Sequence, residues 1–340
     1  MILKVGYDSN SLFGTVKYRF YGGSYPYLGA PYKGHFGEVN FPEDAYVGYK
    51  INPNSRVTAG LNLVPFGSGQ FFSSTFYQTL GFVIGIEDVH NVGIKYSYSG
   101  DPLSVQFGYY PVDGGNWVGN TKDSDRHSTN IVKADSYVFG GSNNVERNML
   151  IGRVAYTIAH SATMTSEFGL SGWYSSIHNF DTHQDGGLKR LAEHFTGRYG
   201  SWQITLLAAR QDISAKNPAD DRILTVGGLS GSYNMAAKGN LYSADVIYNT
   251  LGAIGPVTNI APYLSYSAFL KDESSFKTSQ RLIPGIGFTI AQLPGVYAYV
   301  ELLVGKNDPY VGAGQYVNGV GAGASNQWKK ALYANIGYYF

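Results

Sequence analysis

Side-chain alternation in the last eleven residues constrains the fold more than any other feature of the chain. Counting back in twos from Phe340 gives an apolar set on one face, with Tyr338, Ile336, Ala334 and Leu332. The other face is mixed and holds Tyr339, Gly337, Asn335, Tyr333 and Ala331. Because successive side chains of a strand point to opposite faces, this segment predicts a β-strand with one apolar and one mixed side.

The same two-residue period recurs along the chain. Every second residue is apolar in four further segments: 57–63, 202–208, 284–290 and 296–304. Residues 188–199 alternate poorly, and the pattern assigns neither face of that strand. A soluble β-sandwich shows the same period with its apolar face inward, so the composition and the connections have to decide between the two environments.

The composition favours strands that cross a membrane. Aromatic residues make up 15% of the chain, and it contains 29 tyrosines and 44 glycines. Charged residues are 14%, well below the roughly 25% of a soluble domain. Yet no apolar run approaches the about 20 residues that a membrane-spanning helix needs. Barrel strands show this combination, because their hydrophobicity lies in alternate residues.

Other classes of protein are excluded by simple counts. The chain has no cysteine, which excludes disulfides, thiolate metal sites and a cysteine nucleophile. Its net charge of +1 gives no reason to expect nucleic acid as a partner. Met1-Ile-Leu-Lys is not a signal-peptide pattern, so we expect the chain to begin at or near a mature N-terminus.

Connections rich in turn residues alternate between short and long. Short turns are predicted at 52–55, 100–102, 160–162, 199–201, 252–256 and 293–295. Long stretches rich in Gly, Asn, Ser and Asp are predicted at 22–42, 67–88, 112–147, 178–187, 213–238, 271–280 and 307–326. Short periplasmic turns and long extracellular loops give outer-membrane barrels this asymmetry.

These connections predict an all-β, antiparallel, up-and-down transmembrane barrel of about fourteen strands. The strands are expected near 15–21, 43–51, 55–65, 90–98, 103–111, 148–159, 163–176, 188–199, 201–212, 239–249, 258–270, 281–292, 296–306 and 328–340. Two further segments, 78–87 and 223–232, would make sixteen, but we expect them in inward-folded loops. Residues 1–14 are expected to be a periplasmic tail or strand extension, with an extra strand or a plug inside the lumen as alternatives.

If the apolar face meets lipid, the opposite face lines a pore. The charged residues predicted there are Lys17, Arg19, Lys50, Arg56, Lys95, Arg153, Glu167, Asp245, Arg281 and Glu301. The predicted aromatic contacts for solutes are Trp173, Tyr297 and Tyr299. A basic residue on the lipid side at mid-membrane would cost about 2–4 kcal/mol, so charges are expected in the lumen or at its rim.

Catalytic and metal-binding patterns are weak. His178 and His183 lie near Asp181 and Asp185, which suggests a metal site or an Asp–His pair, but the spacing is irregular and a solvated loop is the preferred interpretation. The segment 122–127, with Asp123 and Asp125, is likewise predicted to be a solvated loop rather than a calcium site. No cofactor, no metal and no catalytic residue is predicted.

The terminal Tyr338-Tyr339-Phe340 resembles the C-terminal signal of Gram-negative outer-membrane barrels. The architecture is similar to that of outer-membrane porins, and its size and aromatic lumen look most like the oligosaccharide-uptake channels, including the cyclodextrin-type porin. This resemblance implies one multi-pass barrel domain over 1–340 in the outer membrane, in contact with lipid and lipopolysaccharide. It implies a non-enzymatic channel for passive diffusion of hydrophilic solutes, most of all oligosaccharides.

Three alternatives remain open. The excess of basic residues in the predicted lumen favours a general or anion-selective porin. An outer-membrane enzyme would need a fixed catalytic group, for which His183 with Asp181 is the candidate. An adhesin would use a closed barrel as a support for binding loops.

Overall fold

The computed structural model describes residues 1–22, 34–249, 252–311, 319–321 and 325–338. Tyr339 and Phe340, which end the predicted last strand, lie outside the described residues. The elements of the described part run in this order: β1 Ile2–Asp8, β2 Leu12–Tyr21, β3 Val39–Asn52, β4 Ser55–Leu63, α1 Leu80–Val83, β5 His90–Ser99, β6 Leu103–Val112, β7 Asn130–Ile131, β8 Asn144–Ser161, β9 Met164–Asn179, β10 Asp185–Tyr199, β11 Trp202–Ser214, β12 Ile223–Gly228, β13 Gly231–Ala236, β14 Lys238–Tyr248, β15 Ala253–Ile254, β16 Val257–Lys271, β17 Ser279–Ile290, β18 Leu293–Lys306 and β19 Trp328–Tyr338.

One antiparallel sheet of sixteen strands contains most of these elements. Its continuous path runs in sequence order from β1 to β19, leaving out β7, β12 and β13, and the two-residue β15 pairs only with β16. All fourteen predicted strands are present, and β1 and β15 are additional. The preferred expectation of a tail or strand extension for residues 1–14 was wrong, and the alternative of an extra strand is the one observed: β1 pairs with β2 from Ile2 opposite Arg19 to Asp8 opposite Phe13.

One face of this sheet stays apolar and exposed. Leu170 on β9 is 62% exposed, and Leu332 and Ile336 on β19 are 73% and 74% exposed. On β19 the two faces divide as the alternation predicts. A β-sandwich would bury this face, whereas a membrane barrel presents it to lipid. Among the described residues, no helix has the length and apolar character needed to span a membrane.

Three long connections fold against the other face: loop 64–89 after β4, loop 113–143 after β6 and loop 215–237 after β11. The segments 78–87 and 223–232 lie in two of them, as predicted. The first contains α1, and the second contributes to a separate three-stranded sheet in which β12 pairs with both β13 and β7. Val226 of β12 lies opposite Ile131 of β7, so loops 113–143 and 215–237 are joined to each other.

The sheet curls around loop 64–89. The Gly67 N–H donates to Ser171 Oγ on β9 at 3.0 Å, and the Leu80 N–H donates to Ser267 Oγ on β16 at 3.0 Å. The Tyr77 ring lies 4.2 Å from that of Tyr333 on β19. A loop that leaves β4 and reaches β9, β16 and β19 lies inside a barrel formed by those strands.

An apolar core forms where the loop meets the wall. Leu80, Val83 and Ile84 are at most 1% exposed. They pack with inward-facing wall residues that are also buried, among them Met149, Ile177, Leu241 and Phe269. Burial of one such side chain contributes about 1.5–3 kcal/mol. The interior at this level is therefore packed protein, which stabilises the loop inside the barrel.

The structure also assigns the faces of β10, which the pattern left open. Arg190 and His194 point inward and are buried, while Lys189, Leu191 and Glu193 point outward and are exposed. The strand alternates poorly because charges occur on both faces. Glu193 lies near the middle of the outward face, opposite Leu170.

We expect a basic residue on the outward face to destabilise the protein in a depth-dependent way. Leu170→Arg, near mid-strand on β9, should lower the free energy of unfolding from lipid vesicles by about 2–4 kcal/mol. Leu270→Arg, on the outward face where β16 ends beside the Arg210–Asp272 pair, should lower it by about 0–1 kcal/mol. Equal effects of both substitutions would show that this face does not meet a bilayer.

Candidate functional site

The residues predicted to line a pore all lie on inward faces of their strands. They occupy the positions that alternate with exposed apolar residues, as Glu301 does between Val300 and Leu302 on β18. Most of them fall into three groups by their contacts. One group holds loop 64–89, the second is the basic group Lys50, Arg56 and Lys95, and the third is the pair Tyr297 and Tyr299, which lines a cavity. Their contact with a solute remains a prediction.

Four of the predicted residues bind loop 64–89 directly. Arg153 Nε donates to the Gly67 carbonyl at 2.8 Å, and Arg281 Nη1 donates to the Tyr77 carbonyl at 2.9 Å. The two acids accept from the loop: Asp245 from Ser74 Oγ at 2.7 Å and Glu301 from the Phe76 N–H at 2.6 Å. These side chains therefore act as anchors of the loop.

Arg281 is the most deeply buried anchor, with 1% of its side chain exposed. Its guanidinium forms a bidentate pair with Asp308, at 2.6 and 2.7 Å. Bidentate pairs of this kind are geometrically specific as well as strong. Asp308 thereby fixes the orientation in which Arg281 donates to the loop carbonyls.

Trp173 is also covered by protein and is 2% exposed. Its ring lies 5.9 Å from that of Phe66, and its Nε1–H donates to Glu146 at 2.8 Å. Arg190 stacks on it at 5.0 Å and donates to the carbonyls of Ile84 and Gly85 at 2.9 and 2.8 Å. This indole contacts loop 64–89 and its anchors, where the sequence predicted contact with a solute.

Glu87 fixes the internal shape of loop 64–89. Its carboxylate accepts from the N–H groups of Phe72 at 2.7 Å and Thr79 at 3.0 Å. Complete burial raises the pKa of Glu87 to about 7, although these hydrogen bonds act in the opposite direction. The loop is thus closed on itself as well as tied to the wall.

A basic cluster, Lys50, Arg56 and Lys95, lies on the inward faces of β3, β4 and β5. Lys50 is directly opposite Arg56, and Lys95 is diagonal to Arg56, whose direct partner on β5 is Ser97. Lys50 pairs with Asp8. Arg56 stacks on Phe13 at 5.9 Å, and Lys95 donates to the Leu63 carbonyl. Within the described part of the chain, neither Arg56 nor Lys95 is paired with a carboxylate.

Like charges opposite each other destabilise a sheet, so cross-strand pairing does not explain why Lys50 lies opposite Arg56. The predicted cations of the neighbouring β2 are paired, because Lys17 and Arg19 share the carboxylate of Glu43, at 2.7 and 2.5 Å. On β8 and β9, Arg153 pairs with Glu167 at 2.6 Å, and Glu167 also contacts His194 at 3.1 Å. The basic cluster therefore places positive charge on the β3–β5 wall from the short turn beside Arg56 to the Leu63 carbonyl, which the Lys95 ammonium reaches.

Tyr297 and Tyr299 line a cavity of about 660 Å³ near the short turn between β17 and β18. Their ring centroids are 4.7 Å apart, and Thr258 and Thr289 contribute hydroxyls to the same cavity. Both tyrosines are partly exposed, unlike Trp173. Aromatic faces beside hydroxyl groups form a surface suited to a polyhydroxylated solute.

A buried cluster that the sequence did not predict joins the wall to two loops. Glu43 of β3, His90 of β5, Asp88 of loop 64–89 and His127 of loop 113–143 place one ligand atom each within 4.8 Å of one another. Asp88 lies 3.1 Å from both His90 Nε2 and His127 Nε2. Burial alone would raise the pKa of Asp88, but the charges and hydrogen bonds of His127 and His90 hold it well below its usual range.

The segments that the sequence did suggest as catalytic or metal sites make other contacts in the structure. His178 Nδ1 pairs with Asp185 at 2.8 Å, whereas Asp181 accepts from the Asn143 amide at 3.0 Å. The prediction that 122–127 is a solvated loop was wrong for Ser124 to His127, which are at most 5% exposed. They are buried because loop 113–143 folds into the barrel.

No protein-family model matches the chain, and no curated protein matches its sequence. Among solved structures it is similar to the outer membrane channel DcaP of Acinetobacter baumannii, with a TM-score of 0.58 and 12% identity over 98% of this chain and 83% of that one. It is also similar to the anion-selective porin from Comamonas acidovorans, with a TM-score of 0.56 and 14% identity over 98% and 87% of the two chains.

These likenesses show the fold. The chain has the fold of Gram-negative outer-membrane porins. The predicted fold class, an all-β up-and-down barrel with alternating short and long connections, is confirmed.

We expect the buried Arg281–Asp308 pair to hold loop 64–89 in place. Arg281→Met leaves Asp308 buried and unpaired, which costs about 3–5 kcal/mol. Amide hydrogen exchange in loop 64–89 should therefore become faster by about 100-fold or more, measured by mass spectrometry in micelles.

The matched control is Arg210→Met, which breaks the exposed bidentate pair with Asp272 on the outward side. An exposed pair contributes about 0–1 kcal/mol, so this variant should leave exchange in the loop nearly unchanged. The double variant Arg281→Met with Asp308→Leu should recover part of the protection. Unchanged exchange in Arg281→Met would contradict the anchoring role.

Proposed function

We propose that this protein is an outer-membrane channel that lets small hydrophilic solutes diffuse passively and that prefers anions. The observation that carries the preference is the basic cluster of Lys50, Arg56 and Lys95. Three cations meet on adjacent strands facing the barrel interior, and Asp8 balances only Lys50. An arrangement of like charges that opposes sheet stability is expected to serve binding or conduction.

The physical basis of the anion preference is the electric field of fixed positive charges in a wall of low dielectric constant. Basic side chains that line a pore lower the energy of anions inside it and raise that of cations. Weakly paired cations also let the anion leave again, which conduction requires. The acids Asp245 and Glu301 already accept hydrogen bonds from loop 64–89, so they oppose the anion preference less than unpaired carboxylates would.

In this proposal the exposed apolar face lies in a lipid bilayer, and lipopolysaccharide surrounds the end of the barrel that carries the long loops. Loops 64–89, 113–143 and 215–237 narrow the lumen from that end. We assign no enzymatic role. Asp181, which the enzyme alternative pairs with His183, accepts from the Asn143 amide, and no hydrogen bond between Asp181 and His183 occurs in the described part of the chain.

Removal of the unpaired cations is expected to weaken anion selectivity. In planar bilayers with a salt gradient, the Arg56→Ala and Lys95→Ala variants should each lower the anion-to-cation permeability ratio by about two-fold or more, and the double variant should lower it further. The matched control is Lys189→Ala, which removes a cation from the outward face of β10. A wild-type reversal potential that shows cation preference, or no change in the double variant, would refute anion selectivity.

Oligosaccharide diffusion is the second candidate, and the tyrosine-lined cavity favours it. If sugars bind there, linear or cyclic oligosaccharides should block single-channel currents transiently at a concentration-dependent rate. Tyr297→Ala and Tyr299→Ala should shorten the blocks by about ten-fold, which corresponds to about 1.4 kcal/mol. Tyr266→Ala, on the outward face of β16, is the control. Currents indifferent to sugar in the wild-type protein would exclude this candidate.

A further inference from the structure

We propose that Asp88, His90 and His127, with Glu43 as a fourth ligand, bind a divalent transition metal of the zinc class that fastens two inward loops to the barrel wall. This inference does not rest on the proposed transport function, because the ligands and the test concern the binding of metal itself.

The hydrogen-bonding capacity of His90 is the first argument. Its Nδ1 lies 2.9 Å from Asp44 Oδ1 and its Nε2 lies 3.1 Å from Asp88 Oδ1. A neutral imidazole carries one N–H, so it can donate to only one of these two carboxylates. The other nitrogen must face its carboxylate across a second proton or across a metal ion. The geometry therefore demands a second proton or a metal ion between His90 and one of these two carboxylates.

The contact with Asp44 also determines which ring nitrogen of His90 is free to bind a metal. When Nδ1–H donates to Asp44, the lone pair of Nε2 points toward Asp88. Histidine ligands of zinc are commonly oriented by a carboxylate that accepts from the other ring nitrogen. Asp44, Asp88 and His90 reproduce this arrangement with side chains that are at most 17% exposed.

The separations of the ligand atoms fit a small coordination sphere. Zinc bonds of about 2.0–2.1 Å in a tetrahedron place neighbouring ligand atoms about 3.3 Å apart. Asp88 lies 3.1 Å from His90 Nε2 and 3.1 Å from His127 Nε2 through its two oxygens. Glu43 Oε1 lies 3.9 Å from His127 Nε2. Small side-chain adjustments would bring all four groups around one ion.

The chemistry of the set selects the class of metal. Two imidazole nitrogens and two carboxylates suit zinc and its neighbours in the first transition series, whereas calcium and magnesium prefer oxygen ligands alone. The local charges agree. Glu43, Asp44 and Asp88 are opposed by Lys17 and Arg19, which leaves one negative charge when both imidazoles are neutral. A divalent ion would supply the positive charge that the two carboxylate contacts of His90 require.

Binding would cross-link distant parts of the chain. Glu43 and His90 belong to the wall, Asp88 ends loop 64–89, and His127 lies in loop 113–143. The two loops already touch at Gly85 (φ 73°), where a Cβ atom would lie 2.5 Å from the Thr129 carbonyl oxygen. A ligand that binds only the folded arrangement stabilises it in proportion to its concentration over its dissociation constant. Zinc should therefore protect both loops together.

The experiment uses the full-length protein, purified without a histidine tag, folded in detergent and stripped with a chelator. After equilibration with zinc and removal of free metal, the wild-type protein should retain about one zinc ion per chain, and magnesium should not displace it. Cobalt should give the intense visible absorption of a tetrahedral site. Zinc should slow hydrogen exchange in loops 64–89 and 113–143.

His127→Ala should weaken zinc binding by more than about 100-fold, and Asp44→Asn, which leaves all four ligands in place, by about 10–100-fold. His178→Ala is the matched control, because it removes a histidine that also pairs with a carboxylate, at the exposed His178–Asp185 contact. This control should bind zinc as the wild-type protein does. Heat-modifiable migration on a gel checks that each variant is folded.

Two results would overturn the proposal. One is a wild-type protein that retains no zinc, which needs no variant to interpret. The other is retention that is lost in His178→Ala but unchanged in Asp44→Asn and His127→Ala, which would place the metal at the rim. Neither result bears on the anion preference, which is measured by reversal potential, so the two proposals can fail separately.

Discussion

Backbone carbonyls inside a barrel need donors, and the arginines of the wall supply them. Loop 64–89 crosses a lumen that is largely filled with protein, where an unpaired carbonyl would be costly. Arg190 donates to Ile84 and Gly85, and Arg281 donates to Tyr77. Each guanidinium has several donors in a fixed plane, so one side chain can satisfy two carbonyls and still hold a wall partner. Together with Arg153, which donates to Gly67, these two residues supply the wall donors for the carbonyls of the loop and help to fix its position.

The outward face of the barrel could be predicted from sequence because lipid imposes one rule on every strand. Apolar residues recur with period two wherever a strand meets hydrocarbon, and Leu332 and Ile336 follow this rule as clearly as Val57 does. The inward face obeys no single rule. It holds Met149 and Ile177 where a loop packs, Arg281 where a carbonyl needs a donor, and Arg56 where the lumen is lined. The alternation in residues 188–199 does not assign the two faces for this reason. Leu188 is apolar on the inward face, where it packs in the buried core, and Glu193 is charged on the outward face.

The buried cluster of Glu43, Asp88, His90 and His127 could not be predicted from the sequence for a similar reason. Asp88 and His90 are two residues apart, which is a weak signal, and Glu43 and His127 lie more than thirty residues away on either side. Their meeting depends on loop 113–143 folding into the barrel, which its polar composition did not indicate. The polar residues Ser124 to His127 predict a solvated segment, because polar side chains usually face water, yet all four are buried. Inside this barrel they face other polar groups of the wall and of loop 64–89.

The basic cluster and the buried cluster on the β3–β5 wall meet at Lys95. Lys95 lies five residues after His90 on β5, but its ammonium donates to the carbonyl of Leu63, which is directly opposite His90. Partly buried charges are screened by salt much less than exposed ones, so a metal charge at His90 would act on Lys95 and on an anion bound beside it. A metal at the cluster would therefore influence conduction in two ways: through the charge near Lys95, and through the positions of loops 64–89 and 113–143 and hence the width of the pore.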